Sequence, residues 1–132
     1  MLDETQSAFL KEHVLAVLAT GRKDGSPQVS TVMYDYDGTD IVISIKSYTA
    51  KWKNVLHQPK VGIVVNDGRK QLIVYGKAQA IEDDPLRGEL TRRLFSRISG
   101  APAEPLEKLK AGLDQQQRTV LRIVPEQAFM NG

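Results

Sequence analysis

Three Asp-Gly dipeptides, Asp24-Gly25, Asp37-Gly38 and Asp67-Gly68, punctuate the first half of this chain. Asp-Gly favours tight hairpin turns, because Gly accepts positive φ and the Asp carboxylate bonds back to the backbone two residues on. Apolar or alternating segments lie between these turns. His13–Thr20 is a dense apolar run of strand length and reads as a buried strand. Gln28–Tyr36 alternates, with Val29, Thr31 and Met33 on one side and Ser30, Val32 and Tyr34 on the other. Asp40–Lys46 alternates most clearly of all, and Val61–Asn66 and Gln71–Glu82 follow the same rule. Within the last of these, Gly76 marks a bulge or a close approach of backbone.

Helical signals are fewer. Residues 3–12 read as a first helix, with Asp3 near its N-terminus. Residues 47–58 read as a loop leading into a short helix that ends before Pro59. Asp83, Asp84 and Pro85 announce a third helix, with Pro85 at its first position and Leu86, Leu90, Leu94 and Ile98 recurring every four residues. Leu106, Leu109 and Leu113 form a fourth, and Thr119–Val124 is a last strand stopped by Pro125. The sum is mainly β: about six antiparallel strands with three or four helices. Strands of this length close readily into a small barrel, which removes exposed edges. At 132 residues the expectation is a single domain, 1–132.

Composition removes most self-sufficient chemistry. Cysteine is absent, which excludes disulfides, thiolate metal sites and a Cys nucleophile. The only histidines are His13 and His57, so a His-rich metal centre is excluded and haem would lack a supported axial ligand. No GxSxG, GxGxxG or Walker A pattern occurs. The net charge of +2 is too small to argue for nucleic acid. No apolar run is long enough to span a membrane, and the start, MLDETQSAFLKEH, is polar, so the expected location is the cytoplasm. An enzyme of this composition borrows its reactivity from a cofactor.

One segment concentrates charge. From Ile41 to Asn66 there is no acidic residue, while Lys46, Lys51, Lys53 and Lys60 all fall within it. Lys51 and Lys53 stand at the start of the short helix, where free backbone N–H groups favour anions. Ser47 and Thr49 add hydroxyls. Together these groups suit a phosphate. Lysines on a loop are ordinarily solvated charges, however, and the lone Trp52 is ordinarily a core anchor. Arg87, Arg92, Arg93 and Arg97 read as a solvated helix face or as partners of Glu89 and the acidic turn. His57 reads as a C-terminal helix residue.

The runs AVLATGRKDGSPQVSTVMYDYDG, IVISIKSYTAKWKNVLHQPKVGIVV and VYGKAQAIEDDP resemble the split β-barrel flavin and deazaflavin oxidoreductases. These are the relatives of pyridoxamine 5′-phosphate oxidase, and the likeness is closest to the actinobacterial branch that uses coenzyme F420. It spans roughly residues 9–127. The resemblance implies a six-stranded antiparallel split β-barrel and a homodimer with cofactor sites at the subunit interface. It implies that Lys51 meets the cofactor phosphate, with Lys53 and Asn54 as the basic-Asn pair that follows. The ring would lie near Ser30, Thr31, Val32, Ser44 and Lys46, with Ser47 and Thr49 beside the phosphate. The partner subunit would contribute from Asp67–Ile73, including Gln71. Lys46 and Lys60 would meet the polyglutamate tail of F420, and Tyr34 and Lys46 are the positional candidates for a proton donor.

The chain departs from the family pattern in two places. Thr49 stands where F420-using relatives often carry Arg, and Thr-Ala-Lys replaces the Ser-Arg-Lys of the pyridoxamine-phosphate oxidases, so pyridoxal phosphate synthesis is not expected. The implied function is F420-dependent hydride transfer to a small unsaturated or quinone-like acceptor. The alternatives are an FMN-binding oxidoreductase on the same barrel and a non-catalytic flavin, F420 or haem carrier. Neither nucleic acid nor membrane is an expected partner.

Overall fold

The computed structural model describes residues 2–131. Six strands form one closed antiparallel barrel: β1 (Leu15–Gly21), β2 (Pro27–Tyr36), β3 (Ile41–Lys46), β4 (Lys60–Asn66), β5 (Gln71–Ile81) and β6 (Arg118–Asn131). Around the barrel the order is β1-β2-β3-β6-β5-β4, and β4 pairs back onto β1 to close it. Four helices accompany it: α1 (Glu4–Glu12), α2 (Ala50–His57), α3 (Leu86–Ser99) and α4 (Leu106–Gln116).

The Asp-Gly turns join β1 to β2, β2 to β3 and β4 to β5. Gly25, Gly38 and Gly68 all take positive φ. The preceding carboxylates accept amides within each turn: Asp37 from Thr39 and Asp40 at 2.8 and 2.7 Å, Asp67 from Arg69 and Lys70 at 2.9 and 2.8 Å. Those amides hold the Asp67 carboxyl below its ordinary value.

Inside the barrel, alternate residues of every strand meet. Leu18, Val32, Tyr34, Ile43, Ile63, Leu72, Val74, Leu121 and Ile123 are among the buried set. Helix α1 is closed by a capping box in which Asp3 accepts the Gln6 amide and the Gln6 side chain accepts the Asp3 amide. Its Phe9 and Leu10 belong to the core, as do Trp52 and Val55 of α2. Trp52 is 3% exposed, so the anchor reading of the lone tryptophan holds. Helix α3 packs over β2, β3 and β6, where Leu90 meets Val42 and Val120.

Four local expectations are corrected. The last strand does not stop at Pro125 but continues to Asn131. A register shift at Tyr75/Gly76 sets Gly76 opposite Pro125, and the irregular ladder there accommodates the missing N–H. Gly76 does mark a close approach: a Cβ on it would fall onto the Val124 carbonyl. Helix α3 begins at Leu86, with Pro85 as its N-cap residue rather than its first turn.

Arg93 of α3 is exposed, but Arg87 and Arg97 are not solvated, and Arg87 takes the expected partner in the acidic turn. Arg87 is buried and donates to Asp84 (2.8 Å), Asp114 (2.7 Å) and the Arg118 carbonyl (3.1 Å). The Arg87 guanidinium holds the Asp84 carboxyl below its usual value. Arg97 pairs with Asp35 at 3.3 Å and donates to the Leu10, Lys11 and His13 carbonyls at the end of α1. Finally, β1 is not buried on both faces. Ala16 and Leu18 point inward, while Leu15 and Val17 lie exposed.

Candidate functional site

The barrel wall splits between β2 and β3. These strands pair only at Tyr34–Tyr36 with Ile41–Ile43. Below that point β2 stays with β1, and β3 stays with β6 through Lys46 opposite Arg118. Among the described residues the stretch Gln28–Met33 therefore has no strand partner on its β3 side. Thr31, Val32 and Met33 form one bank of the resulting cleft, and Ser44, Ile45 and Lys46 the other. Leu94, Phe95 and Ile98 of α3 lie along it, and Thr49, Lys51 and Arg118 complete it. Its volume is about 370 Å³, within the range of small-molecule sites.

One end of the cleft is cationic. Lys46, Lys51 and Arg118 line it, and no acidic side chain does. Lys46 and Arg118 are directly opposed across the strands, an arrangement that costs stability unless an anion offsets it. Arg118 is held by Gln116, whose side-chain oxygen accepts its Nε at 2.8 Å, and reaches Ser44 at 3.4 Å. Lys51 makes no ion pair or hydrogen bond among the described residues.

Helix α2 adds backbone donors. Its N-cap, Thr49, turns its hydroxyl onto the Lys46 carbonyl at 2.8 Å instead of capping the helix. The amides of Ala50, Lys51 and Trp52 consequently have no acceptor among the described residues. Free first-turn amides and the positive helix end are suited to an oxyanion.

Six sequence-predicted residues come together here: Thr31, Val32, Ser44, Lys46, Thr49 and Lys51. Four do not line the cleft. Ser30 is on the strand face that includes Val32 and Tyr34, opposite Leu18 of β1. Ser47 borders a neighbouring hollow that shares Arg118 with the cleft. Lys53 is exposed on α2. Gln71 begins β5, and its side-chain amide donates to Asn131 at 2.9 Å.

Three further candidates are used elsewhere. Asn54 donates to Thr20 (3.1 Å) and Gln28 (2.7 Å), tying α2 to the β1–β2 hairpin. Lys60 lies in a separate hollow beside Tyr75 and Glu126. Tyr34 is fully buried, donates to the Leu10 carbonyl at 2.7 Å, and burial pushes its phenol far above the usual range, so it is no proton donor to the cleft.

Sequence reading missed Arg118 and the three α3 residues. Arg118 lies 72 positions beyond Lys46 and meets it only through strand pairing. The spacing of Leu94 and Ile98 showed an apolar helix face without showing what it covers.

The model of the pyridoxamine 5′-phosphate oxidase family matches residues 2–132. The chain belongs to this family. Solved structures agree on the fold. A conserved hypothetical protein of Mycobacterium tuberculosis superposes with a TM-score of 0.82 at 23% identity, over 98% of this chain and 84% of that one. An F420 reductase superposes with a TM-score of 0.77 at 26% identity, over 97% of this chain and 98% of that one. General stress protein 26 of Bacillus anthracis matches at 0.68 and 14% identity, over 96% and 91% of the two chains. Membership of the pyridoxamine 5′-phosphate oxidase family, with an F420 reductase among the similar structures, supports an oxidoreductase of the flavin or deazaflavin type. Among the described residues no helix is long and apolar enough to cross a membrane.

A second surface adjoins the cleft. The outer faces of β2, β1, β4, β5 and β6 carry a continuous apolar row. Leu15 lies opposite Met33, and Thr31, Val17, Val64, Ile73 and Phe129 follow one another from strand to strand. Leu15, Val29, Met33, Tyr75 and Phe129 are each about half exposed or more, from 46% to 64%. Thr31 and Met33 belong both to this face and to the cleft.

Proposed function

We propose that the protein is an F420-dependent reductase that delivers a hydride to a small unsaturated or quinone-like acceptor. The observation that carries the reading is the acid-free end of the split cleft, where Lys46, Lys51 and Arg118 meet beside the first turn of α2. Such a site suits a large cofactor that is anionic at one end. Lys51 and the α2 amides would hold its phosphate. Lys46 and Arg118 would meet its further negative charge, which a polyglutamate tail supplies and FMN does not. The unpaired edge of Thr31–Met33, together with Ser44, offers polar groups to the rim of a planar ring. Leu94, Phe95 and Ile98 keep water from it. When bound, a reduced deazaflavin supplies the hydride, and the protein's part is orientation and dryness. Absence of Cys and the scarcity of His accord with that division of labour.

The reading includes a homodimer. A contiguous apolar face on a strand surface marks an interaction site. A second copy on it would wall the open side of the cleft beside Thr31 and Met33. The Asp67–Ile73 hairpin, with Gln71, borders that face and would reach the partner's cleft.

Anaerobic mixing of the protein with reduced F420 and menadione tests the function. The expected result is protein-dependent oxidation of the cofactor that saturates with menadione. A rate equal to the protein-free control, with menadione and with an unsaturated carboxylate such as cinnamate, would overturn it. Sedimentation should give a dimer, and a stable monomer would leave the cleft without its second wall.

A further inference from the structure

A second cleft is larger than the split in the barrel wall. It lies between α3, α4 and the connecting residues 100–105, and has a volume of about 580 Å³. Met33, Phe95 and Ile98 line both clefts, so the two are neighbours across a shared apolar partition. The α3–α4 cleft is otherwise bounded by Leu109 and Leu113, by Ala101, Pro102 and Ala103, and by Gly112.

Its charge is set by one residue. Glu104 and Lys108 also line it, but both are exposed and of opposite sign. Arg92 is different. It is half-buried, makes no ion pair or hydrogen bond among the described residues, and its Nε is fully buried without an acceptor. The other two arginines of α3 that point into the protein, Arg87 and Arg97, are both satisfied by carboxylates and carbonyls. A buried Nε–H left without an acceptor beside an apolar cavity is costly, and a planar carboxylate is the group that matches the guanidinium fork.

We infer that the α3–α4 cleft binds a small apolar carboxylate, with the carboxylate at Arg92 and the apolar body directed along Phe95 and Ile98 toward the split cleft. That it is the acceptor pocket rests on the cofactor reading above. Binding of the anion does not. Among unsaturated acceptors the pocket then favours carboxylates with an aromatic or short aliphatic body.

Gly112 supplies a clean block. It lies in mid-helix, and a Cβ built on it meets nothing within 4 Å, so a larger side chain enters the cleft without disturbing the helix. Calorimetric titration of the full chain with cinnamate and with cinnamyl alcohol tests the inference. Cinnamate should bind at least tenfold more tightly than the alcohol. Arg92→Gln should erase that preference, and Gly112→Leu should abolish binding of both. F420 binding should be unchanged in Gly112→Leu. Equal affinity for acid and alcohol, or unchanged cinnamate binding in either variant, would overturn the site. If cinnamate binds as expected while F420 does not bind at all, the anion site stands and its role as acceptor pocket falls.

Discussion

Gly76→Ala is expected to cost about 3 kcal/mol of stability, at the top of the usual range for overpacking. A Cβ at this position would lie 2.3 Å from the Val124 carbonyl oxygen, far inside contact distance, and the nearest atoms around it are all backbone of β6. A flexible side chain could rotate away, whereas a strand in the middle of the longest pairing of the barrel cannot. Domains of this size are stable by only about 5–15 kcal/mol, so the loss is a large share of the total. It corresponds to roughly 10–15 °C in the thermal midpoint. Urea unfolding of the variant beside Gly112→Ala, whose added methyl meets only open space, gives the comparison. The second variant should be as stable as the parent or more so, since alanine is the better helix former. Equal midpoints for Gly76→Ala and the parent would show that β5 and β6 do not approach as described.

That glycine illustrates how far the fold was legible in the sequence. Interruption of a clean alternation by Gly76 signalled a bulge or a close approach, and the structure shows both at one point. The Asp-Gly turns were equally legible, because the requirement is local: positive φ and a carboxylate two residues from an amide. Pro125 was misleading for a reason of the opposite kind. A proline stops a regular ladder, but the irregular pairing that admits it is a property of β5, some fifty residues earlier in the chain. The arginines of α3 were legible in part. Arg87 does pair with Asp84 of the acidic turn, three residues back, but its second carboxylate, Asp114 of α4, and the carbonyls that hold Arg97 at the end of α1 lie far from them in sequence.

Lys51→Ala should weaken cofactor binding by about 1.5–3 kcal/mol, the worth of a hydrogen bond to a charged group. In affinity this is roughly 10- to 150-fold. Stability should not fall with it, because Lys51 has no ion pair or hydrogen bond to lose among the described residues. Arg118→Met should weaken binding in the same range. Here stability is expected to rise slightly, since removing one of two opposed cations relieves the repulsion with Lys46. A Kd for F420 unchanged in both variants would remove the phosphate from this end of the cleft.

The candidate site was legible in part. The acid-free span from Ile41 to Asn66 pointed to Lys46 and Lys51, and the start of a short helix beside them indicated free amides. What the sequence could not display is the split itself, which depends on where β2 leaves β3 and joins β1. Lys60 belongs to the same charged span yet lies in a different hollow, because α2 and the turn after it carry the chain to another side of the barrel. The apolar outer face was half visible. A run as dense as His13–Thr20 has apolar residues on both faces of its strand, and only the structure shows that Leu15 and Val17 of the second face are left exposed among the described residues.

The central claim is that the cleft between β2 and β3 is built for a polyanionic deazaflavin. Trp52 is the only tryptophan and lies in the first turn of α2, beside Lys51 of the cleft, so its fluorescence is placed to report binding there. Parallel titrations with F420 and FMN should give tight quenching by F420 and at least tenfold weaker quenching by FMN, with the F420 affinity falling as salt is raised. A protein that purifies yellow with FMN retained, or one that F420 fails to quench at any concentration, would contradict the account.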